Sequence, residues 1–304
     1  MKVSIITVDY NNLEVTLQLL ASLEALDLHQ WVEVVVVDNG SHISAESVVN
    51  TQYPWVVFIR SEQNLGFAGG NNLGMQHATG DYFFFINNDT ELQEDIVTPL
   101  VSLLKDHPQI GILCPEIRYY DQPDAIQYTG FTKMNRWTGR NKCLTESEPN
   151  YGLVETSFPH GAAMMMSRQV VEEVGAMPEH FFLYYEEHDW AEMIRRAGYQ
   201  IAIIRDAQIY HKESMSVGKI GELKTYFMTR NRLLFMRRNY RGPSQFIFWS
   251  YFLMIVAPKN TLSLLLRGDW KNIKALWAGV RWNLFSPVHS ERIGYKFDYL
   301  RASA

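Results

Sequence analysis

The chain has 304 residues, of which 47% are hydrophobic and 20% are charged, and this composition is typical of a globular protein. Its two cysteines, Cys114 and Cys143, are too few for a disulfide framework and too far apart for a metal motif, which favours a reducing compartment. We expect no signal peptide, because the apolar run 3–8 is short and meets Asp9 directly. No window reaches the roughly 20 apolar residues of a membrane span.

Charge is divided unevenly along the chain. Residues 1–218 contain 13 Lys or Arg and 29 Asp or Glu, whereas residues 219–304 contain 15 Lys or Arg and 4 Asp or Glu. We therefore expect the C-terminal part to face an anionic surface. Because it also carries four tryptophans and the apolar run 246–257, anionic lipid fits better than nucleic acid. The alternative is a helical subdomain with a basic outer face.

The first hundred residues alternate between apolar strands and helical segments. The segments 3–8, 32–37, 55–61 and 81–86 are apolar enough for strands buried on both faces, and leucines at helical spacing predict a helix over 13–26. Strands alternating with helices indicate an α/β domain with a mostly parallel central sheet flanked by helices.

Three of these strands end in similar polar triplets. They are Thr7-Val8-Asp9, Asp38-Asn39-Gly40 and Asn87-Asn88-Asp89. Any one triplet fits a turn or a helix cap. Ligands of parallel sheets bind at the carboxyl ends of the strands, so three ends alike favour one shared polar ligand.

A glycine-rich segment, residues 64–74, opens the helix after the third strand. It matches neither the dinucleotide-binding fingerprint nor the P-loop. Its glycines indicate a tight turn or a close approach of the backbone to another group. The asparagines beside them have amides that suit a sugar or a base.

Four segments carry a resemblance to a known family: "VSIITVDYNN", "VEVVVVDNGS", "NLGFAGGNNLG" and "FFFINNDTEL". In order and spacing they resemble the inverting family-two glycosyltransferases of the GT-A fold, and most closely the bacterial rhamnosyltransferase-like enzymes that build cell-surface polysaccharides. The resemblance covers about residues 2–235. It implies a single Rossmann-like GT-A domain over 1–218, with a nucleotide-sugar half (1–115) and an acceptor half (116–218), followed by a helical C-terminal region, 219–304.

The resemblance also implies substrates. The donor is a dTDP- or UDP-linked sugar, with rhamnose favoured, and the acceptor is a surface glycan or a polyprenyl-diphosphate-linked glycan. The implied location is cytoplasmic, peripheral at the inner face of the membrane. Nucleic acid is not expected as a partner.

Residue roles follow from the same motifs. In the family, the residue at Asp38 contacts the base, and the last residue of the D-x-D element, here Asp89, holds Mg²⁺ or Mn²⁺. The element is reduced to Asn87-Asn88-Asp89, but Mg²⁺ requires only one or two carboxylates when phosphates and water complete its shell. Related enzymes place a metal-binding His where His211 lies. The implied donor-binding residues are Thr7, Asp9, Tyr10, Asn11, Asp38, Asn39, Gly66, Gly70, Asn71, Asn87 and Asn88.

The stretch "FFLYYEEHDW" resembles the acidic element that contains the catalytic base. The matching residue is Glu187, where Asp is usual, and Glu186 and Asp189 are reserve candidates. The base would take a proton from the acceptor hydroxyl as its oxygen attacks the anomeric carbon. Apolar spacing also begins a helix here, so these acids can serve its N-terminus, and we assign Asp189 to that role or to packing support. Residues 91–95 are likewise interpreted as first-turn acids of a following helix.

The acceptor side is expected around His160 and Gly161, in a segment that matches the family's acceptor strand, whose three methionines fit a core strand equally well. Arg230 lies in a helix that matches the family's R-N-R-L element, and a guanidinium suits a diphosphate. The connection 116–157 is expected to be irregular and to cover the site.

Two other functions are compatible with the sequence. A nucleotidyltransferase would need a basic glycine-rich loop near the N-terminus and a second metal carboxylate, and neither is evident. The departures N-N-D and E-E-H-D would also permit a non-catalytic relative that binds a nucleotide sugar or a lipid.

Overall fold

The computed structural model of the protein describes residues 2–146, 152–212 and 221–295. Within these ranges one sheet contains all the named strands. The strands are β1 Val3–Asp9, β2 Val32–Asn39, β3 Val56–Ser61, β4 Tyr82–Ile86, β5 Thr90–Glu91, β6 Ile110–Tyr119, β7 Ile126–Tyr128, β8 Leu153–Glu155, β9 Ala163–Ser167 and β10 Gln200–His211. The helices are α1 Leu13–Glu24, α2 Glu46–Gln52, α3 Gly66–His77, α4 Val97–Asp106, α5 Arg168–Val174, α6 Glu186–Arg196, α7 Glu222–Asn239, α8 Pro243–Tyr251, α9 Ala257–Leu266 and α10 Trp270–Phe285.

The strand order is β3-β2-β1-β4-β9-β6-β10-β5, with β7 beside β6 and β8 beside β10. The strands β3, β2, β1 and β4 are parallel, β9 runs antiparallel to its neighbours, and β6 and β10 are again parallel. The register sets Asp9 opposite Asp38 at the carboxyl ends of β1 and β2. The predicted mostly parallel sheet is therefore confirmed.

The core consists of the apolar strands and the inner faces of the helices. Phe83, Phe84 and Phe85 of β4 are buried on both sides of the sheet, as are the central valines of β2. Burial on both faces explains why these strands are apolar throughout and do not alternate. The three methionines of β9 are buried too, so they form part of the core, as the second interpretation had it.

The glycines of α3 allow this helix to lie close to the sheet. A Cβ at Gly70 would come within 2.8 Å of the Val8 side chain on β1. A larger residue would push the helix outward, so the close approach inferred from the glycines is, at this position, an approach to the protein's own strand.

The C-terminal region is helical, as expected, and α7 packs along α10. A short π-helical stretch, Phe252–Val256, joins α8 directly to α9. In the described parts of the chain, every helix is too short or too polar to cross a bilayer. The placement of a domain boundary near residue 218 stays a prediction.

Residues 91–95 differ from expectation. Glu91 lies in β5, where it pairs with Lys212, so its assignment to a first helical turn is wrong. Asp95 does serve the start of α4, because its carboxylate accepts a hydrogen bond from the Thr98 nitrogen at 3.0 Å. The difference arises because β5 is only two residues long, too short to leave an alternating pattern.

Candidate active site

Asp9, at the end of β1, is the centre of a hydrogen-bonded cluster. Its carboxylate accepts from Thr16 Oγ1 at 2.7 Å, from Asn88 Nδ2 at 3.2 Å and from Ser41 Oγ at 3.4 Å. These partners come from α1, from the turn after β4 and from the loop after β2. Burial raises the pKa of Asp9 above its ordinary value. The cluster therefore fixes three strand ends relative to one another, and it brings the predicted residues Asp9 and Asn88 into direct contact.

Asp38 is held by an arginine that the sequence did not single out. Arg60 Nη1 lies 2.6 Å from Asp38 Oδ2, and the Ser41 nitrogen donates to Asp38 Oδ1 at 2.9 Å. The parallel register of β2 and β3 sets Asp38 opposite Arg60. A buried carboxylate requires such a partner, and only the pairing of the strands reveals which residue supplies it.

Asn39 supports the glycine-rich segment. Its Nδ2 donates to the Gly66 carbonyl at 3.0 Å, and its Oδ1 accepts from the Leu65 nitrogen at 2.9 Å. Gly66 has a φ of +74°, and the space where its Cβ would project is filled by Phe182. The Phe67 nitrogen also donates to the Phe182 carbonyl at 2.7 Å. The segment thus joins the two halves of the domain, and Asn39 and Gly66 are explained by contacts inside the chain.

The remaining donor-side residues line the same end of the sheet. Tyr10 is 41% exposed, and Asn11, with a φ of +55°, donates its backbone N–H to Ser41 Oγ at 2.8 Å. Asn71 Nδ2 donates to a carbonyl one helical turn earlier, at 2.9 Å. Thr7 Oγ1 is buried and has no hydrogen-bond partner within the described residues. Contact of all the named donor-side residues with a nucleotide sugar stays a prediction.

Asp89 and His211 face each other across β5 and β10. His211 Nε2 lies 3.0 Å from Asp89 Oδ1, and both side chains are about 7% exposed. The pairing of His211 with Thr90, next to Asp89, brings the two together from positions far apart in the sequence. The two residues predicted as metal ligands are therefore adjacent.

The surroundings of His211 fit a metal ligand. Its Nδ1 lies 2.7 Å from Gln127 Oε1, an acceptor, so Nδ1 carries a hydrogen and Nε2 faces Asp89. At 3.0 Å, Nε2 and the Asp89 oxygen require either a proton or a cation between them. No group of three or more His, Cys, Asp or Glu suited to a metal occurs in residues 2–146, 152–212 and 221–295. A cation there would complete its shell with substrate oxygens and water.

Glu187 and Glu186 begin α6 but differ in environment. Glu187 Oε1 lies 3.1 Å from His188 Nδ1. Burial opposes its ionisation, but the His188 hydrogen bond and charge outweigh burial and lower the pKa of Glu187. Glu186 is more deeply buried, and burial together with the charge of Glu187 raises the pKa of Glu186 well above its usual value. Of the two, Glu187 is therefore the carboxyl group that ionises more readily.

His188 is held in place from its other side. Asn141 Nδ2, a donor, lies 3.2 Å from His188 Nε2, and His188 Nδ1 faces Glu187 Oε1. The Phe158 ring stacks on the imidazole at 4.5 Å. No pattern in the sequence indicates this Asn141–His188–Glu187 chain, because Asn141 lies in the non-periodic segment between β7 and β8.

Asp189 has a structural role. Its carboxylate accepts from Arg238 Nε at 3.0 Å and from Asn239 Nδ2 at 2.6 Å, and both partners lie on α7. These bonds join α6 to α7 and occupy both carboxylate oxygens. The interpretation of Asp189 as packing support agrees with these contacts, and they leave it poorly suited to act as a base.

The site thus places two potential metal ligands, Asp89 and His211, and the ionised carboxylate of Glu187 at the C-terminal edge of a mostly parallel sheet. The sequence profile of glycosyl transferase family 2 matches residues 4–175, more than half of the chain. The chain belongs to glycosyl transferase family 2.

Individual relatives agree with this assignment. The low-salt glycan biosynthesis hexosyltransferase Agl10 of Haloferax volcanii is 27% identical over 237 residues, which are 76% of this chain and 74% of that protein. The N-acetylglucosaminyl-diphospho-decaprenol L-rhamnosyltransferase of Mycobacterium tuberculosis is 26% identical over 231 residues, 66% of this chain and 72% of that protein. The predicted resemblance to family-two glycosyltransferases with rhamnosyltransferase-like relatives is confirmed.

A solved structure confirms the fold. The mannosyltransferase PcManGT from Pyrobaculum calidifontis, in complex with GDP-Man and Mn²⁺, superposes with a TM-score of 0.58 at 16% identity and covers 99% of this chain and 84% of that one. At this level of identity the match shows the fold alone. The family-two enzyme described here is a glycosyltransferase with a GT-A fold.

In this glycosyltransferase, the backbone of the segment just before Glu186 and Glu187 is strained. Phe182, Tyr184 and Tyr185 all have positive φ, between 66° and 76°, a region that side chains disfavour. Asn231 Nδ2 donates to the carbonyls of Phe181, Leu183 and Tyr184 at 2.9, 2.7 and 2.8 Å, respectively. Asn231 is the Asn of the R-N-R-L element. Its three hydrogen bonds to this segment give a physical reason for an asparagine at that position of the motif.

His160 and Gly161 lie between the Asp89–His211 pair and Glu187, the candidate base. The His160 ring lies 6.1 Å from the His211 ring and stacks parallel to Phe131. Burial lowers the pKa of His160 to about 4, so the ring is neutral at pH 7. The Asn87 nitrogen donates to the Ala162 carbonyl at 3.0 Å, which joins this segment to the D-x-D position.

Arg230 is placed differently from expectation. It is fully buried, its guanidinium lies 3.9 Å from the Trp282 ring centroid, and it hydrogen-bonds to Asn231 Oδ1 at 2.6 Å. A fully buried guanidinium offers no surface to a substrate, so the expected contact with a diphosphate is not seen. The helical period could not decide which arginine of α7 faces inward, because arginines occur on several faces of that helix.

Proposed function

We propose that this glycosyltransferase is an inverting enzyme that transfers a hexose, with rhamnose favoured, from a nucleoside-diphosphate sugar to a surface-polysaccharide or polyprenyl-diphosphate-linked glycan acceptor. The observation that carries the proposal is the Glu187 carboxylate, oriented by His188, in the same site as the Asp89–His211 pair. A single-displacement transfer needs one base and no nucleophilic side chain.

Glu187 would accept the proton of the acceptor hydroxyl as that oxygen attacks the anomeric carbon from the face opposite the leaving diphosphate. The Asn141–His188 pair holds the carboxylate in one rotamer and stabilises its ionised form. Burial and the charge of Glu187 raise the pKa of Glu186, so Glu187 would be ionised to the greater extent and is the better candidate for the base. The strained segment clamped by Asn231 fixes where α6 begins, and hence where Glu187 points.

Asp89 and His211 would hold a divalent cation, Mg²⁺ or Mn²⁺. The chemistry that such a cation supplies is neutralisation of the charge that develops on the leaving diphosphate. Gln127 fixes the tautomer of His211 that is required of a ligand. The imidazole favours Mn²⁺ over Mg²⁺. The Pyrobaculum structure, which holds GDP-Man with Mn²⁺, supports this assignment by its shared fold.

The substrates follow from the relatives. The mycobacterial protein is named for transfer of L-rhamnose to N-acetylglucosaminyl-diphospho-decaprenol, and we propose a dTDP- or UDP-linked sugar donor and an acceptor of the same lipid-linked class. A nucleotidyltransferase is disfavoured, because the segment 64–74 is braced by the protein's own Asn39 and Phe182. A non-catalytic role is disfavoured by the ordered chain of contacts that supports Glu187.

We also propose that the enzyme works at the cytoplasmic face of the membrane, as a peripheral protein. The joined helix 243–266 buries Phe248, Phe252 and Val256 against the protein, and its opposite side is apolar as well. Helices that are apolar all round are normally buried. The exposed apolar side chains of this helix and of α10 are Phe246, Ile247, Met254, Ile255, Leu262, Leu265, Leu266, Trp270, Trp277, Leu284 and Phe285. The exposed cations in and beside these two helices are Arg241, Lys259, Arg267, Lys271, Lys274 and Arg281.

Vesicle flotation tests the membrane proposal. Wild-type protein should float with vesicles that contain phosphatidylglycerol and much less with phosphatidylcholine alone, and added salt should weaken binding. Met254→Asp with Leu266→Asp should abolish flotation, while Ile43→Asp, at a position 84% exposed in the N-terminal half, should not. Equal flotation of all variants would contradict a role for this surface.

The transfer itself is tested by incubating the enzyme and Mn²⁺ with a panel of nucleoside-diphosphate sugars and a prenyl-diphosphate-linked N-acetylglucosamine. We expect release of a nucleoside diphosphate from one donor class, and a product whose anomeric configuration, read by NMR, is opposite to that of the donor. Release of pyrophosphate would indicate nucleotidyl transfer, and retained configuration would exclude the single-displacement mechanism.

A further inference from the structure

A cavity of about 320 Å³ lies beside the acidic pair, outside the residues assigned above to donor, metal and base. It is bounded by the connection at Arg140 and Asn141, by Tyr185 just before α6, by Arg232 on α7, and by Phe252 and Asn260 of the joined helix. Four separate parts of the chain thus meet around it.

The polar wall of the cavity is cationic. Arg232 uses its Nε and one Nη2 hydrogen to bind the carbonyls of Gly139 and Thr138, which fixes the guanidinium plane and leaves its other N–H groups for a ligand. Burial lowers the pKa of Arg232, and the nearby Arg140 guanidinium acts in the same direction, so the two cations interact. Arg140 is exposed, and no hydrogen bond of its side chain occurs within the described residues.

Arg232 differs from two other semi-buried arginines near the site. Arg60 has Asp38 and Arg238 has Asp189 as carboxylate partners, at 2.6 and 3.0 Å. No Asp or Glu lines the cavity, and Arg232 forms no ion pair with any described residue. A semi-buried cation without a counter-ion is costly, and a second cation beside it adds repulsion. An anion bound in the cavity would relieve both.

We propose that Arg140 and Arg232 form a subsite for the diphosphate of a prenyl-diphosphate-linked acceptor. The guanidinium fork suits phosphate oxygens, and two guanidiniums match the charge of a diphosphate better than that of a single phosphate. This inference rests on the proposed function. It adds the location at which the enzyme recognises the acceptor, as distinct from the donor.

The position of the cavity favours the diphosphate of the acceptor over that of the donor as its ligand. The donor diphosphate has its place at Asp89 and His211, and His160 and Phe131 lie between that pair and His188. The cavity lies on the other side of His188, because Asn141 bonds His188 and also lines the cavity. A diphosphate bound there would bring the sugar attached to it beside Glu187. The prenyl chain could then leave along the joined helix, whose Phe252 and Asn260 form the far wall.

Binding of farnesyl diphosphate in metal-free buffer with EDTA tests the subsite, measured by calorimetry without any donor. Wild-type enzyme should bind farnesyl diphosphate more tightly than farnesyl monophosphate, and inorganic pyrophosphate should compete. Arg140→Ala and Arg232→Lys should each weaken binding about tenfold, the loss expected for one charge-assisted hydrogen bond. Arg136→Ala removes an exposed arginine of the same connection that does not line the cavity, and this variant should bind as wild type does.

A second titration separates acceptor from donor. Nucleoside diphosphate with Mn²⁺ should bind all four proteins equally. If Arg140→Ala leaves farnesyl diphosphate binding unchanged, or weakens nucleoside-diphosphate binding by the same factor, the assignment is overturned. Arg140 is exposed, and its side chain makes no hydrogen bond to any described residue, so its variant should keep the wild-type melting temperature. Because these titrations require no turnover, failure of the proposed transfer would appear separately, as absence of nucleoside-diphosphate release.

Discussion

The carboxylates at the ends of β1 and β2 and the carboxylate at the start of α6 look alike in the sequence but are supported differently. Asp9 and Asp38 each accept several bonds from the protein's own side chains and backbone, from α1, β3 and the loop after β2. Among the described side chains, the Glu187 carboxylate hydrogen-bonds to one imidazole, that of His188, which is itself held by Asn141. The first region is preorganised by saturating its acceptors, whereas the second keeps acceptor capacity for a substrate proton.

The largest expected effect tests the second region. Glu187→Gln keeps the shape and removes the base, so kcat should fall by about 10²- to 10⁴-fold, with donor affinity and melting temperature unchanged. The matched control is Glu186→Gln, which makes the same change at the neighbouring carboxyl, whose pKa is raised by burial, and should leave kcat nearly unchanged. The reverse ranking, measured by nucleoside-diphosphate release, would move the base to Glu186.

In the first region the expected effect is on stability. Arg60→Ala leaves the carboxylate of Asp38 buried without its cation, and the free energy of unfolding should fall by about 3 kcal/mol in urea titrations. Adding Asp38→Asn to this variant should recover part of the loss, because the uncompensated charge is removed. Additive losses in this double-mutant cycle would show that the two side chains are not coupled.

A smaller effect is expected from removing the side chain that supports the Asp89–His211 pair. Gln127→Leu removes the acceptor that fixes the His211 tautomer, and Mn²⁺ affinity in the presence of nucleoside diphosphate should fall about tenfold, as seen for outer-shell partners in metal sites. Gln122→Leu, in the exposed turn of the same connection, provides a control. Unchanged Mn²⁺ affinity in Gln127→Leu would argue against His211 as a ligand.

The smallest expected effect lies at the opposite end of the sheet, at Glu33 near the start of β2. Although burial opposes its ionisation, hydrogen bonds from Lys2, Ser4 and Thr79 lower the pKa of Glu33 to about 2. A lowered pKa in the folded state gives stability that is complete above about pH 4.5 and lost as the pH falls towards 2. Glu33→Gln should therefore lower the free energy of unfolding at pH 7 by about 1 kcal/mol and flatten its pH dependence between 4.5 and 2. An unchanged slope would exclude this linkage.

Much of the site could be predicted because the relevant residues stand at positions with a local signal. Asp9, Asp38 and Asp89 follow buried strands, and Glu187 begins an amphipathic helix, so hydrophobic periodicity alone marked them. The family motifs then named Glu187 and His211. Arg230 was misplaced because the face of a helix that meets the protein depends on its packing partner, here Trp282.

The sequence by itself determined the order of strands and helices, because apolar runs and turn residues are local properties of the chain. It also determined which acids stand at strand and helix ends. Only the tertiary structure decided what holds them. Arg60 reaches Asp38 across 22 residues, Asn141 reaches His188 across 47, and Gln127 reaches His211 across 84. Such contacts depend on strand register and on how an irregular connection folds back, and neither leaves a periodic trace in the sequence.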